Sequence, residues 1–208
     1  MRKIVRDTIR HAALAFALIG LTLVPARAAE RTLMLYGDSL MAGLGLSAEN
    51  SFAGQLQQAL GPDVAIVNAS VSGDTSADGL ARLDWSLGDR PDAVVLELGA
   101  NDMLQGLPVD AMRQNLTAIL QRFKDENIPV LLAGMRASPS LGADYVKAYD
   151  AVFPDLAAEF NTAYYPFFLE GVATNAALNQ ADGMHPNAQG VSIIVQAILP
   201  TIKAFLAS

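Results

Sequence analysis

The chain has 208 residues, 52% hydrophobic and 17% charged, with 14 Lys and Arg against 21 Asp and Glu for a net charge of −7. It has no cysteine and only two histidines, so disulfides and thiol catalysis are excluded and the usual zinc sites lack ligands. Its acidity argues against nucleic acid as a partner and offers no polybasic patch to anionic lipid, leaving neutral, apolar or zwitterionic small molecules as the expected substrates.

The first element is a leader. Arg2, Lys3, Arg6 and Arg10 form a basic start, Ala12 to Val24 an apolar run of 13 residues, and Pro25-Ala26-Arg27-Ala28 a small-residue cleavage site. The run falls short of the roughly 20 residues that span a bilayer, so a cleaved signal peptide over residues 1–28 is expected, with no stable membrane span afterwards. No twin-arginine pair is present, which favours the general secretory route and a periplasmic location. The leader takes five basic residues, one acid and His11 with it, so the remaining chain carries a net charge of −11 and one histidine, His185. About 180 residues then form one domain, 29–208, with room for a sizeable core.

From Thr32 onward short apolar runs alternate with longer amphipathic stretches. The runs 32–36, 64–68, 93–98, 130–133 and 163–165 read as buried parallel strands, and 52–60, 76–86, 109–126, 143–160 and 188–206 as helices. In the long helix Met112, Leu116, Ile119, Leu120 and Phe123 make one apolar stripe, with Asp110 as a plausible N-cap and Asn127-Ile128-Pro129 as its stop. The alternation predicts a three-layer α/β/α sandwich around a mostly parallel sheet, whose ligand crevice lies beyond the carboxyl ends of the strands.

Four polar clusters fall at those ends. Ser39, in Gly37-Asp38-Ser39-Leu40, directly follows the first strand and reads either as a nucleophile on a tight turn or as a helix cap. Gly73, in Ser72-Gly73-Asp74-Thr75, can bring a backbone N–H close to a substrate, or serve as an ordinary loop glycine. Asn101, in Gly99-Ala100-Asn101-Asp102, carries an uncharged amide suited to an oxyanion, or closes its strand as an Asx-turn, and Asp102 reads as a structural cap. His185 lies three residues after Asp182, close enough for a carboxylate to orient an imidazole acting as general base; a surface histidine is the alternative. Met103, Leu104, Leu107, Pro108 and Val109 offer an apolar wall for an acyl or aryl group, or a staple into the next helix. The Tyr164-Tyr165 and Phe167-Phe168 pairs read as core.

Taken in order, Gly-Asp-Ser39-Leu, Ser-Gly73-Asp-Thr, Gly-Ala-Asn101-Asp and Asp182-Gly-Met-His185-Pro-Asn resemble the four blocks of the SGNH family of GDSL-type hydrolases. The similarity runs from about Thr32 to the last helix and is nearest to the small secreted bacterial arylesterases and thioesterase/lysophospholipases. It is distinct from the Gly-x-Ser-x-Gly elbow of the α/β-hydrolases, because Met41 replaces the second glycine. The resemblance implies a flavodoxin-like, five-stranded parallel sheet of order 2-1-3-4-5. It also implies a triad of Ser39, His185 and Asp182, with an oxyanion hole from the Ser39 and Gly73 N–H groups and the Asn101 amide. Ala100, where many relatives have glycine, should tighten its loop, and Met184 replaces the usual aliphatic neighbour of the histidine.

The expected function is that of a secreted serine ester hydrolase acting through an acyl-serine without metal or cofactor. Aryl or short-chain acyl esters and lysophospholipids are its expected substrates, with thioesters as a further class. Met103, Leu104, Leu107, Pro108 and Met184 are the candidate substrate contacts. A carbohydrate O-acetyl esterase on the same fold and a non-catalytic envelope-binding module are the two alternatives.

Overall fold

The computed structural model describes residues 31–208, and the expected leader with its cleavage site lies outside them. Five strands form one parallel sheet: β1 (Arg31–Tyr36), β2 (Val64–Asn68), β3 (Ala93–Leu96), β4 (Val130–Ala133) and β5 (Ala163–Tyr165), in the order β2-β1-β3-β4-β5. Leu33 lies opposite Ile66 on one side and Ala93 on the other, while Leu132 lies opposite Leu96 and Tyr164. The inner strands are the most apolar. Every residue of β3 and β4 is buried, as are Leu33 to Tyr36 of β1, whereas the edge strands β2 and β5 are half-exposed. This is the burial expected of a parallel sheet covered on both faces.

Two sets of helices cover the sheet. α2 (Phe52–Leu60) packs on α7 (Ala188–Leu206), while α5 (Val109–Asp125) packs between α3 (Ser76–Ser86) and α6 (Ala143–Phe160). All five residues of the predicted α5 stripe are buried. Helix α7 is long and apolar enough to cross a membrane by length and composition, but it turns Val191, Ile194, Val195, Ile198 and Ile202 into the domain core. Two short helices were not expected: α1 (Ser39–Ala42) and α4 (Ala100–Leu104), each a few residues after a strand and each carrying a candidate site residue, Ser39 and Asn101.

Three local readings are corrected. The third strand stops at Leu96 rather than Leu98, because the chain turns at Gly99 into α4, though Glu97 N–H still reaches Tyr36 O at 2.9 Å. Asp110 is not the cap of α5; Pro108 holds that position without a side-chain bond, and Asp110 sits in the first turn, where its charge suits the helix dipole. The long helix ends one residue early, and Asn127 takes a left-handed conformation (φ 57°) before Pro129.

Asp102 does have a structural role, and it acts across elements. Its carboxylate, 2% exposed, accepts from Ser76 N at 2.7 Å and Ser76 Oγ at 2.5 Å, joining α4 to the first turn of α3. Asp102→Ala would leave the Ser76 N–H buried without its acceptor, while Ser76 Oγ keeps only the bond from Asn115 Nδ2 at 3.0 Å; the loss costs about 1–3 kcal/mol. The expected result is a lower urea midpoint with an unchanged m-value.

Candidate active site

The carboxyl ends of β1, β2 and β3 bring the clusters together. Gly37 follows β1 against the end of β3: a Cβ there would stand 2.7 Å from Glu97 O and 2.9 Å from Glu97 Oε2, so only glycine lets the strands remain this close. Asp38 then caps α1, its Oδ1 accepting Leu40 N–H at 3.0 Å, and Ser39 begins the helix.

Ser39 Oγ lies 2.8 Å from His185 Nε2, and His185 Nδ1 lies 2.7 Å from Asp182 Oδ2. The imidazole is 17% exposed and Asp182 40%. The turn that holds them is braced at its base. Gln180 N–H reaches His185 O at 2.7 Å, Asn187 N–H reaches Leu178 O at 2.9 Å, and Asn187 Oδ1 caps α7. Gln180 Nε2 also donates to Leu44 O at 2.8 Å, tying the histidine turn to the loop after Ser39.

Asp182 is held down to about 2 by the Met184 N–H, then by the bonds from His185 to the same carboxylate. It is therefore ionised at any pH above the acid range and favours the tautomer in which Nδ1 carries the proton, leaving Nε2 to accept from Ser39. Hydroxyl, imidazole and carboxylate stand in one line along which a proton can leave the serine.

Asn101 begins α4 one residue in, and its Nδ2 donates to Asp74 O at 2.9 Å and Asp38 Oδ2 at 3.1 Å. Gly73 has φ 92°, a conformation that favours glycine, with open space where a Cβ would be. Thus Ser39, Gly73, Asn101, Asp182 and His185 gather at one edge.

All but Asp182 line a cavity of about 530 Å³, whose wall is mostly apolar. Of the expected substrate contacts, Met103, Leu104 and Met184 line it, while Leu107 and Pro108 stand outside it at the entry to α5. The stretch divides in this way because 100–104 coils into α4, aiming its end at the cavity. The opposite wall was not foreseen: Leu44, Met135, Arg136, Phe167 and Leu169 complete it. Phe168 is core as expected, stacking edge-on with Phe52, but Phe167 instead faces the cavity under the Arg136 guanidinium, 4.8 Å away. Both residues lie past the end of β5 at Tyr165, so strand alternation gave no signal for which ring faces the cavity.

A parallel sheet of order 2-1-3-4-5, with serine, histidine and aspartate in hydrogen-bonded line at its carboxyl edge, defines the class as a hydrolase of the SGNH type. The model of the GDSL-like Lipase/Acylhydrolase family matches residues 35–193, and the chain belongs to that family. It is 41% identical over 192 residues to the esterase TesA of Pseudomonas aeruginosa, covering 90% of this chain and 96% of that protein. It is 42% identical over 161 residues to thioesterase 1/protease 1/lysophospholipase L1 of Escherichia coli K12, covering 77% of each. The crystal structure of the psychrotrophic esterase EstA from a Pseudoalteromonas species, inhibited by monoethylphosphonate, superposes with a TM-score of 0.80 at 34% identity, over 86% of this chain and all of that one. The protein is a carboxylic ester hydrolase.

Because Asp182 has its folded pKa depressed from 3.8, it contributes stability above pH 4 that is lost as pH falls towards 2. Urea midpoints recorded from pH 5 to pH 2 should therefore fall less steeply for Asp182→Asn than for the wild type.

Proposed function

We propose that Ser39 is the nucleophile, His185 the general base and acid, and Asp182 the group that fixes the imidazole. The 2.8 Å approach of Ser39 Oγ to His185 Nε2 inside the cavity is the observation that carries this reading. Attack on an ester carbonyl transfers the serine proton to Nε2 and yields a tetrahedral oxyanion; Nε2 then returns the proton to the leaving alcohol. A water activated by the same nitrogen hydrolyses the acyl-serine. The oxyanion is met by the Ser39 and Gly73 N–H groups and by Asn101 Nδ2, which redirects to it the hydrogen now given to Asp38. The monoethylphosphonate reported with the EstA relative supports this, since a tetrahedral phosphonate resembles the charge and shape of that intermediate.

The substrate is an ester with an apolar acyl or aryl group. Met103, Leu104, Met135, Leu169 and Met184 offer it a mostly aliphatic wall with Phe167 as its aromatic ring, and Trp85, the only tryptophan, stands 83% exposed on α3 away from the cavity. Aryl and short-chain esters and lysophospholipids fit an exported enzyme better than coenzyme A thioesters, which are cytosolic. The basic, apolar and small-residue pattern of residues 1–28 supports export by a cleaved signal to the periplasm.

Ser39→Ala should abolish labelling by a fluorophosphonate and lower kcat by on the order of 10⁵–10⁶-fold; labelling that persists at another serine would overturn the assignment. Asp182→Asn should cost about 10⁴-fold by favouring the wrong tautomer. Across p-nitrophenyl esters of rising chain length, Phe167→Ala should move the optimum towards longer chains, measured as kcat/KM. Acetate release from acetylated polysaccharide without activity on longer esters would instead favour a carbohydrate esterase.

A further inference from the structure

Two carboxyl groups lie behind Ser39, and the mechanism uses neither. Asp38 and Glu97 are both fully buried. Asp38 is well supplied with donors: Oδ1 takes the Leu40 N–H and Oδ2 the Asn101 amide. Glu97 is different: among the described residues neither carboxyl oxygen has a hydrogen-bond partner of ordinary geometry, although the Asp38 backbone N–H acts on the carboxyl. Its carboxyl packs against Gly37, the residue directly before Asp38, with Oε2 only 2.9 Å from where a Cβ of residue 37 would be. The nearby cation at this edge, Arg82, is spent on Asp74, Ala69 O and Gly37 O. An ionised carboxylate buried without a cation, and with only the Asp38 backbone N–H acting on it, would cost several kcal/mol, and groups so placed take up a proton instead.

We propose that Glu97 is a neutral carboxylic acid whose O–H donates to Asp38, and that it acts as a positioning residue for Ser39 and Asn101. The role rests on the serine mechanism above. A carboxyl that is protonated becomes a donor, so the lone acid and its ionised neighbour satisfy each other. Burial first, then the charge of Asp38, pushes Glu97 well above the carboxylate range, and burial also lifts Asp38 to about 6. The other titratable groups around the pair are His185 across Asp38, Asp74 with its Arg82, and Asp102, Tyr145 and Tyr149 from α4 and α6. Tyr149 is likewise buried without a hydrogen-bond partner among the described residues, and its phenol is held neutral mainly by burial.

The arrangement matters for turnover because Asn101 has only two amide hydrogens and both are in use. A developing oxyanion must take one from Asp38. A carboxylate that already accepts from Glu97 and Leu40 releases Asn101 more readily than an unsupported one, and it stays in place when it does.

Two variants separate this role from plain packing. Glu97→Gln keeps a neutral donor of the same shape and should retain close to wild-type kcat and pH profile. Glu97→Leu keeps the volume but removes the donor, and kcat should fall about 10- to 100-fold with KM little changed. Equal kcat in Glu97→Leu and wild type, or a loss in Glu97→Gln as large as in Glu97→Leu, would overturn the proposal. Should the leucine variant not fold, the infrared difference spectrum between wild type and Glu97→Gln at neutral pH decides: a protonated-carboxyl C=O band in the wild type is expected, and its absence overturns the assignment. Fluorophosphonate labelling of wild-type Ser39 runs alongside, since its failure would sink the serine mechanism itself, whereas intact labelling confines any failure to Glu97.

Discussion

The active edge depends on one guanidinium. Arg82 projects from α3 to Asp74 at 2.5 Å, to Ala69 O at the end of β2 at 2.5 Å, and to Gly37 O at the end of β1 at 3.2 Å, with Tyr36 4.1 Å beneath it. These contacts bind the turn that presents Ser39 to the loop that carries Gly73. The pair with Asp74 is largely buried, at 18% and 10% side-chain exposure, where loss of one partner strands the other charge. The planar fork of arginine suits this task, since it meets a carboxylate and two carbonyls at once without its own position changing. Helix α3 is in turn secured by Asp102, so the site is reached by a continuous line of polar contacts from α4 through α3 to β1.

Two aspartates show how environment divides labour within one residue type. Asp182 stands near solvent with backbone donors and is held at about 2, so its charge is constant through the pH range where an imidazole titrates. Asp38, beside Ser39 but fully buried, is lifted to about 6 and shares its surroundings with a second acid. One carboxylate supplies a steady field to the histidine and the other a responsive contact to the amide. Both lie close to one serine, and the difference comes first from burial at Asp38 and from backbone donors at Asp182, with nearby charges adding to each.

Much of this was legible in the sequence because the signals were local and repeated. Short apolar runs with helical stretches between them gave the strand positions, and polar clusters after the first three strands pointed to Ser39, Gly73 and Asn101. The role of Gly73 came only with the family resemblance, and His185 lies twenty residues past β5, just before α7. The sheet order came with the family resemblance, since periodicity says nothing of which strand lies beside which. Features that depend on long-range packing were invisible. Glu97 reads as one more residue of an apolar strand, Arg82 as a charge on a helix, and the role of Asp102 on Ser76 requires two helices to meet. The far wall of the cavity was missed for the same reason. Met135, Arg136 and Phe167 follow β4 and β5, and only the sheet brings those ends beside Ser39.

Ser39 and His185 are 146 residues apart, one after the first strand and the other just before the last helix. Almost the whole domain must be in place before the two can touch. A chain cut anywhere before residue 185 keeps Ser39 but loses the histidine that it contacts. The contact between them is therefore a property of the completed fold, because it needs the first strand and the last helix in place together.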